Sequence, residues 1–132
     1  TVLRGKKGLQ IVLNDIIENN SEWHVFGAQG QFKKLFYPEY RIFHSKRARK
    51  RIAVKIIYNS TIRPEQREKE LEMVEIRYVD KIFDTPATTY IYQGSVAIII
   101  WSNPLYVMWI KSKEVEKSYE NQFQILWRNA NP

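Results

Sequence analysis

The stretch TTYIYQGSVAIIIWSNPLYVMWI, residues 88–110, decides the fold. Thr88–Tyr92, Ser95–Trp101 and Leu105–Ile110 are short runs rich in β-branched and aromatic residues, the composition of pleated, packed strands. Only Gln93-Gly94 separates the first run from the second, and only Ser102-Asn103-Pro104 the second from the third. Connections this short demand antiparallel hairpins.

Toward the N-terminus the pattern differs. Glu22–Phe26, Ile52–Tyr58 and Glu75–Val79 read as strands, and helical sequence separates each from the next. Gly8-Leu9 opens a helix marked by Leu9, Val12, Leu13, Ile16 and Ile17, which stops at Asn19-Asn20-Ser21. Phe32, Leu35 and Phe36 begin another, kinked or restarted at Pro38. Residues 62–72 carry seven charges and predict a short exposed helix with Pro64 at its first position. Strands that alternate with helices in this way build a parallel sheet by βαβ crossovers. Val115, Tyr119, Phe123 and Leu126 mark a closing amphipathic helix over 113–129. The expected fold is α/β, a mixed sheet with a parallel first half and antiparallel hairpins in the second, flanked by helices. Residues 1–132 are expected to form one domain.

Composition narrows the function classes. The 4 Trp, 8 Tyr and 6 Phe suit a packed globule. Absence of cysteine excludes disulfides, thiolate metal sites and a Cys nucleophile, and fits a reducing cytoplasm. The longest apolar run, Val96–Trp101, is far below the roughly 20 residues of a membrane helix. The chain opens at Thr1 directly in strand-like sequence, Val2-Leu3, and is expected to be part of a longer protein. Six of its basic residues (Arg41, Lys46, Arg47, Arg49, Lys50, Arg51) fall in one acid-free run. That run reads either as a solvated helix end beside the C-terminal dipole or as a phosphate-contacting patch.

Candidate chemistry is sparse. His24 and His44 have no Cys or carboxylate at metal-ligand spacing, so no metal and no cofactor is expected. Asp80 and Asp84 share a loop with Lys81 and Thr85 and read as solvated. Gly27 and Gly30 flank a strand-to-helix turn, a weak signal for an anion site and a common steric requirement.

The stretch from Asp84 to Asn103 resembles the strand–turn–strand of phospholipase D-like domains, whose catalytic pattern is H-x-K-x4-D-x6-G-S-x-N. On that resemblance the His position falls on Pro86, the Lys on Thr88, the Asp on Gln93 and the G-S pair on Ile100-Trp101. Only Asn103 keeps its identity. The family's His attacks phosphorus and its Lys holds a phosphate oxygen, so the resemblance implies a fold without the chemistry. His44-Ser45-Lys46 mimics H-x-K elsewhere, but Arg51 stands where the acid belongs.

A catalytically empty form of this domain occurs in archaeal TrmB-like transcriptional regulators, and the chain resembles it along its whole length. The similar pieces are Val2–Gly8, Val25–Ala28, Lys55–Asn59, Pro86–Tyr92, Val96–Trp101 and Tyr119–Trp127. The resemblance implies a regulatory domain that pairs two copies and responds to an effector. DNA is then read by an N-terminal winged helix-turn-helix that is expected to lie outside these residues. A ligand at the carboxyl ends of the parallel strands would meet Gly27, Ala28, Gln29, Tyr58 and Asn59. Thr88, Thr89 and Asn103 would border the former catalytic cleft. These hydroxyls and amides suit a neutral or weakly anionic small molecule. The same residues also read as turns, at Asn59 and Asn103, and as core, at Tyr58. Two rivals stay open: a purely structural dimerisation module without a ligand, and a phospholipase D-type phosphodiesterase. Tyr106, Trp109 and Trp127 are candidates for the homodimer contact, or for core; Ile42 and Phe43 are expected to turn inward.

Overall fold

A computed structural model describes residues Thr1–Pro132 and places seven strands in one sheet. The chain runs β1 Val2–Arg4, α1 Gly5–Asn19, β2 Trp23–Ala28, α2 Gln31–Leu35, α3 Tyr37–Arg49 and β3 Val54–Asn59. A 3₁₀ turn, Ser60–Glu65, and the single-turn α4, Arg67–Glu70, lead to β4 Val74–Val79. Then follow β5 Ala87–Tyr92, β6 Ser95–Ile100, β7 Tyr106–Lys111 and α5 Lys113–Asn129. The strand order is β1-β7-β6-β5-β2-β3-β4. β2, β3 and β4 are parallel, while β5, β6, β7 and β1 continue the sheet antiparallel. The mixed α/β sheet expected from the sequence is therefore present, and β2 is its junction.

Strand alternation sorts the side chains onto two faces. Trp23, Val25, Ile56, Tyr58, Tyr90, Ala97, Ile99 and Val107 point to one face, under α1 and α3. Leu9, Val12, Leu13 and Ile16 of α1 recur at i, i+3, i+4 and i+7 and bury one stripe against them. Trp23 is the centre, edge-to-face with Phe43 at 5.1 Å and Tyr90 at 4.9 Å. The other face is covered by α5 alone, with Phe123 and Trp127 packed on Ile57 and Ile91. Ser112 caps α5 by accepting from the Val115 N–H, and Glu114 and Glu116 suit the positive end of the helix dipole. Near the other end, Arg77 of β4 lies over the Trp127 ring and donates to the Trp127 carbonyl. His24 stacks on Phe123 at 4.6 Å, with its two ring nitrogens bonded to Glu22 and Glu120.

Four expectations need correction. The first helix begins at Gly5, not Gly8, because β1 ends at Arg4 and Gly5 turns the chain with a positive φ of 76°. Residues 62–72 form no single helix. Pro64 lies inside the 3₁₀ turn, and Gln66 in left-handed conformation separates that turn from α4. Ile42 is exposed while Phe43 is buried, since neighbours on a helix point about 100° apart and cannot both face the sheet. The basic run is not uniformly solvated: Arg47 is 0% exposed. It shares the inward face of α3 with Phe43 and Tyr40, and its guanidinium donates to the carbonyls of Ile52 and Glu72 and to His44 Nδ1. Those carbonyls precede β3 and β4, where no strand partner satisfies them. Lys50 similarly donates to the Ile17 carbonyl at the end of α1.

Burial first, then the guanidinium groups of Arg47 and Arg67, hold the His44 imidazole well below its ordinary pKa. The folded ring is neutral, whereas in the unfolded chain it takes a proton below about pH 6.5. The unfolded state then binds more protons, so stability is lost as pH falls through that value. Urea unfolding at pH 6.5 and 5.5 should show a loss of up to about 1 kcal/mol from this ring. In His44→Gln, whose amide oxygen still accepts from Arg47, the loss over the same interval should be smaller. Equal losses in both proteins would exclude His44 as the source.

Candidate functional site

β2 does not run straight to its end. Its register with β3 shifts between Val25 and Ala28, and Gly27 adopts φ +74° at the bulge. A Cβ on Gly27 would lie 2.9 Å from the Ala87 carbonyl oxygen, so both conformation and space require glycine. The Gly27 carbonyl accepts from Thr85 Oγ1 at 3.0 Å and Thr88 Oγ1 at 3.2 Å. Thr88 Oγ1 in turn accepts from Trp101 Nε1 at 2.8 Å. One chain of hydrogen bonds thus runs from Trp101, just past β6, through β5 to β2 at the carboxyl edge of the parallel strands.

This chain closes the cleft on the α1–α3 face. The Trp101 ring stacks on Phe32 and reaches Phe36, both at 6.2 Å between centroids. The space left is about 30 Å³, reached by Trp23, Tyr40, His44 and Arg67. That volume suits one water molecule, and Trp23 Nε1 and Tyr40 Oη have no protein partner with which to bond instead. Burial pushes the Tyr58 hydroxyl up to about 12 and the Tyr40 hydroxyl higher still, so both stay protonated at neutral pH. Arg67, 2% exposed, donates to Tyr58 Oη and is paired with Glu65.

The residues singled out from the sequence divide between the two faces. Thr88, Ala28 and Tyr58 belong to the closed side, Ala28 and Tyr58 as core. Gly27 and Asn59 line a separate pocket on the α5 face. Thr89 is buried opposite Phe26, on the reverse of the strand from Thr88. Gln29 sits at the edge and donates to Asp84 and to the Thr85 carbonyl, fastening the segment before β5. Asn103 is exposed in the β6–β7 turn, next to the cis bond to Pro104. The division follows from strand geometry: Tyr58-Asn59 and Thr88-Thr89 are consecutive pairs, and consecutive strand residues point opposite ways.

The pocket on the α5 face has a volume of about 510 Å³. Phe26, Ile57 and Leu126 form apolar walls, with Phe83, Asn59 and Asn129 at its margin. Sequence reading named Gly27 and Asn59 but missed the rest. The available signals were the shared parity of Phe26 with His24 on β2, and the i, i+3 spacing of Leu126 and Asn129 on α5.

No protein-family model matches the chain, and no curated protein does. Several solved structures share its fold, TrmBL2 and NucT among them. TrmBL2, an archaeal chromatin protein whose structure shows a novel mode of DNA binding, superposes with a TM-score of 0.66 at 20% identity, covering 99% of this chain and 53% of its own. NucT from Helicobacter pylori superposes with a TM-score of 0.67 at 14% identity, covering 99% of this chain and 96% of its own. This chain spans about half the length of TrmBL2. At such identities the likeness is one of fold.

Thr88→Val removes the acceptor of the part-buried Trp101 N–H and one donor to Gly27. A fully buried orphaned donor costs about 1–3 kcal/mol, and urea unfolding should show a loss at the low end of that range, about 1 kcal/mol. Unchanged stability would mean that the pair does not hold the edge together.

Proposed function

We propose that this chain is the non-catalytic regulatory domain of a cytoplasmic transcriptional regulator with a phospholipase D-like fold. It binds a small-molecule effector and pairs two copies, and operator DNA is read by a domain outside these residues. The observation that carries the reading is the hydrogen-bonded Thr88–Trp101 pair. It fills the cleft at the positions where the resemblance expects a phosphate-binding Lys and the G-S pair. Pro86, in place of the nucleophilic His, supplies no imidazole to attack phosphorus. The fold shared with NucT agrees with a phospholipase D-like sheet, and the fold shared with TrmBL2 supports the regulator. No helix is long and apolar enough to cross a membrane.

The rival reading, a structural dimerisation module without a ligand, has its own support. Val2 and Met108, 66% and 42% exposed, lie side by side with Tyr106 on the part of the sheet face that α5 leaves bare. Of the other aromatics expected at a contact, Trp127 of α5 is buried against the sheet and Trp109 donates to Tyr92 Oη. Arg41, Lys46, Arg49, Lys50 and Arg51 remain exposed, and they suit weak, salt-sensitive phosphate contact without sequence preference.

The purified chain should leave bis(p-nitrophenyl) phosphate and duplex DNA unhydrolysed, with or without divalent metal. Light scattering at high micromolar concentration should give twice the monomer mass, and Met108→Asp should return the monomer. Turnover abolished by Asn103→Ala would overturn the non-catalytic reading. A strict monomer would overturn the pairing.

A further inference from the structure

The pocket on the α5 face differs in kind from the closed cleft. Its roughly 510 Å³ lies in the range of small-molecule sites, about 300–1,000 Å³, whereas the cleft leaves only about 30 Å³. Its walls are apolar, and part of that surface stays open: Leu126 is 38% exposed and Phe83 more so. Both belong to elements at the rim, the last turns of α5 and the segment between β4 and β5.

The polar groups at this pocket are amides with unused capacity. Asn59 is 3% exposed, and its Oδ1 accepts from the Thr61 N–H. Its Nδ2 has one protein partner, the Phe83 carbonyl at 3.4 Å, which is the long limit of a hydrogen bond. An amide nitrogen carries two hydrogens, so a nearly fully buried donor is left over. Asn129 donates to the Ile125 carbonyl, leaving its own Oδ1 as an acceptor. No Lys or Arg lines the pocket, and its one ionisable carboxylate is Asp80. A carboxylate or phosphate ligand would meet a negative charge with no cation to offset it.

We propose that this pocket takes a neutral molecule of one or two flat, apolar rings bearing an amide or hydroxyl group. The rings lie against Phe26, Ile57 and Leu126, and the polar end bonds Asn59. This rests on the regulatory reading above and makes such a molecule its effector. It also narrows the expected ligand from neutral or weakly anionic to neutral.

The test is an amide-resolved NMR titration of the 132-residue chain with naphthamide, and with naphthoate as its anionic counterpart. Naphthamide should give saturable shifts at Gly27, Asn59 and Asn129, with a Kd below about 1 mM, and naphthoate should bind at least roughly tenfold more weakly. Leu126→Trp fills the pocket from a partly exposed position. It should abolish binding without changing the melting temperature, whereas Gln10→Ala in the groove between α1 and α3 should change neither. Absence of saturable shifts, equal binding of naphthoate, or full binding to Leu126→Trp would overturn the proposal. So would shifts at these residues on diluting the ligand-free protein, since a second copy would then be the occupant. Phosphodiester turnover in the same sample would instead overturn the regulatory reading, so the two failures are distinguishable.

Discussion

A single backbone carbonyl, that of Gly27, ties the parallel half of the sheet to the antiparallel half at their shared edge. Two threonine hydroxyls, from Thr85 just before β5 and Thr88 within it, converge on this oxygen. That convergence draws the start of β5 against the bulge of β2. The approach is so close that only a residue without a side chain fits, because the Ala87 carbonyl occupies the place of a Cβ. Trp101 is held through Thr88, so the indole that fills the cleft on one face depends on the same glycine that lines the pocket on the other. Closed cleft and open pocket are two consequences of one constraint.

Charge is distributed between the faces just as unevenly. Residues 1–51 hold 11 of the 21 Lys and Arg but only 4 of the 14 Asp and Glu, so this segment carries the whole net charge of +7. It supplies α1, α2 and α3, the layer over the closed cleft, whereas α5 and the strands beneath it come largely from the neutral remainder. The most buried cation of the basic segment is spent internally. Arg47 satisfies carbonyls from two different strand entries, a task that the planar fork of a guanidinium performs and a lysine ammonium does not match. The helical layer thus carries the excess positive charge and the α5 side is close to neutral, with the sheet between them.

How much of this was legible in the sequence depends on the range of the interaction. The hairpins of residues 88–110 were readable because connections this short leave one topology, although the second one spans Trp101–Leu105 and not only the three residues read from the sequence. The parallel strands and α5 were readable from periodicity, which is local. Arg47 was not, because its burial depends on carbonyls 5 and 25 residues away in the chain. Nor was the plugged cleft: Thr88 and Trp101 were both noted, yet their bond exists only once register places β5 beside β6. The candidate site was half legible. The carboxyl ends of the strands can be named from the sequence as a place to look, but periodicity says only that Tyr58 and Asn59 point apart, not which face is packed shut.

The segment Asp80–Pro86 connects the two halves of the sheet without a helix or strand of its own, and its hydrogen bonds reach both the pocket and the Gly27 carbonyl. Its Phe83 carbonyl accepts from Asn59 inside the α5-face pocket. Two residues on, Thr85 donates to Gly27, and Gln29 holds both the Thr85 carbonyl and the Asp84 carboxylate. The weakest of these bonds is the one at the pocket, at 3.4 Å, while those to Gly27 and Gln29 lie between 2.6 and 3.0 Å. A donor or acceptor brought to the Asn59 amide would therefore compete first with the loosest of these tethers. Movement of Phe83 is then constrained by Thr85, and what passes Thr85 reaches the carbonyl that also holds Thr88 and Trp101. The bonds that close the cleft are all shorter than the one that reaches the pocket.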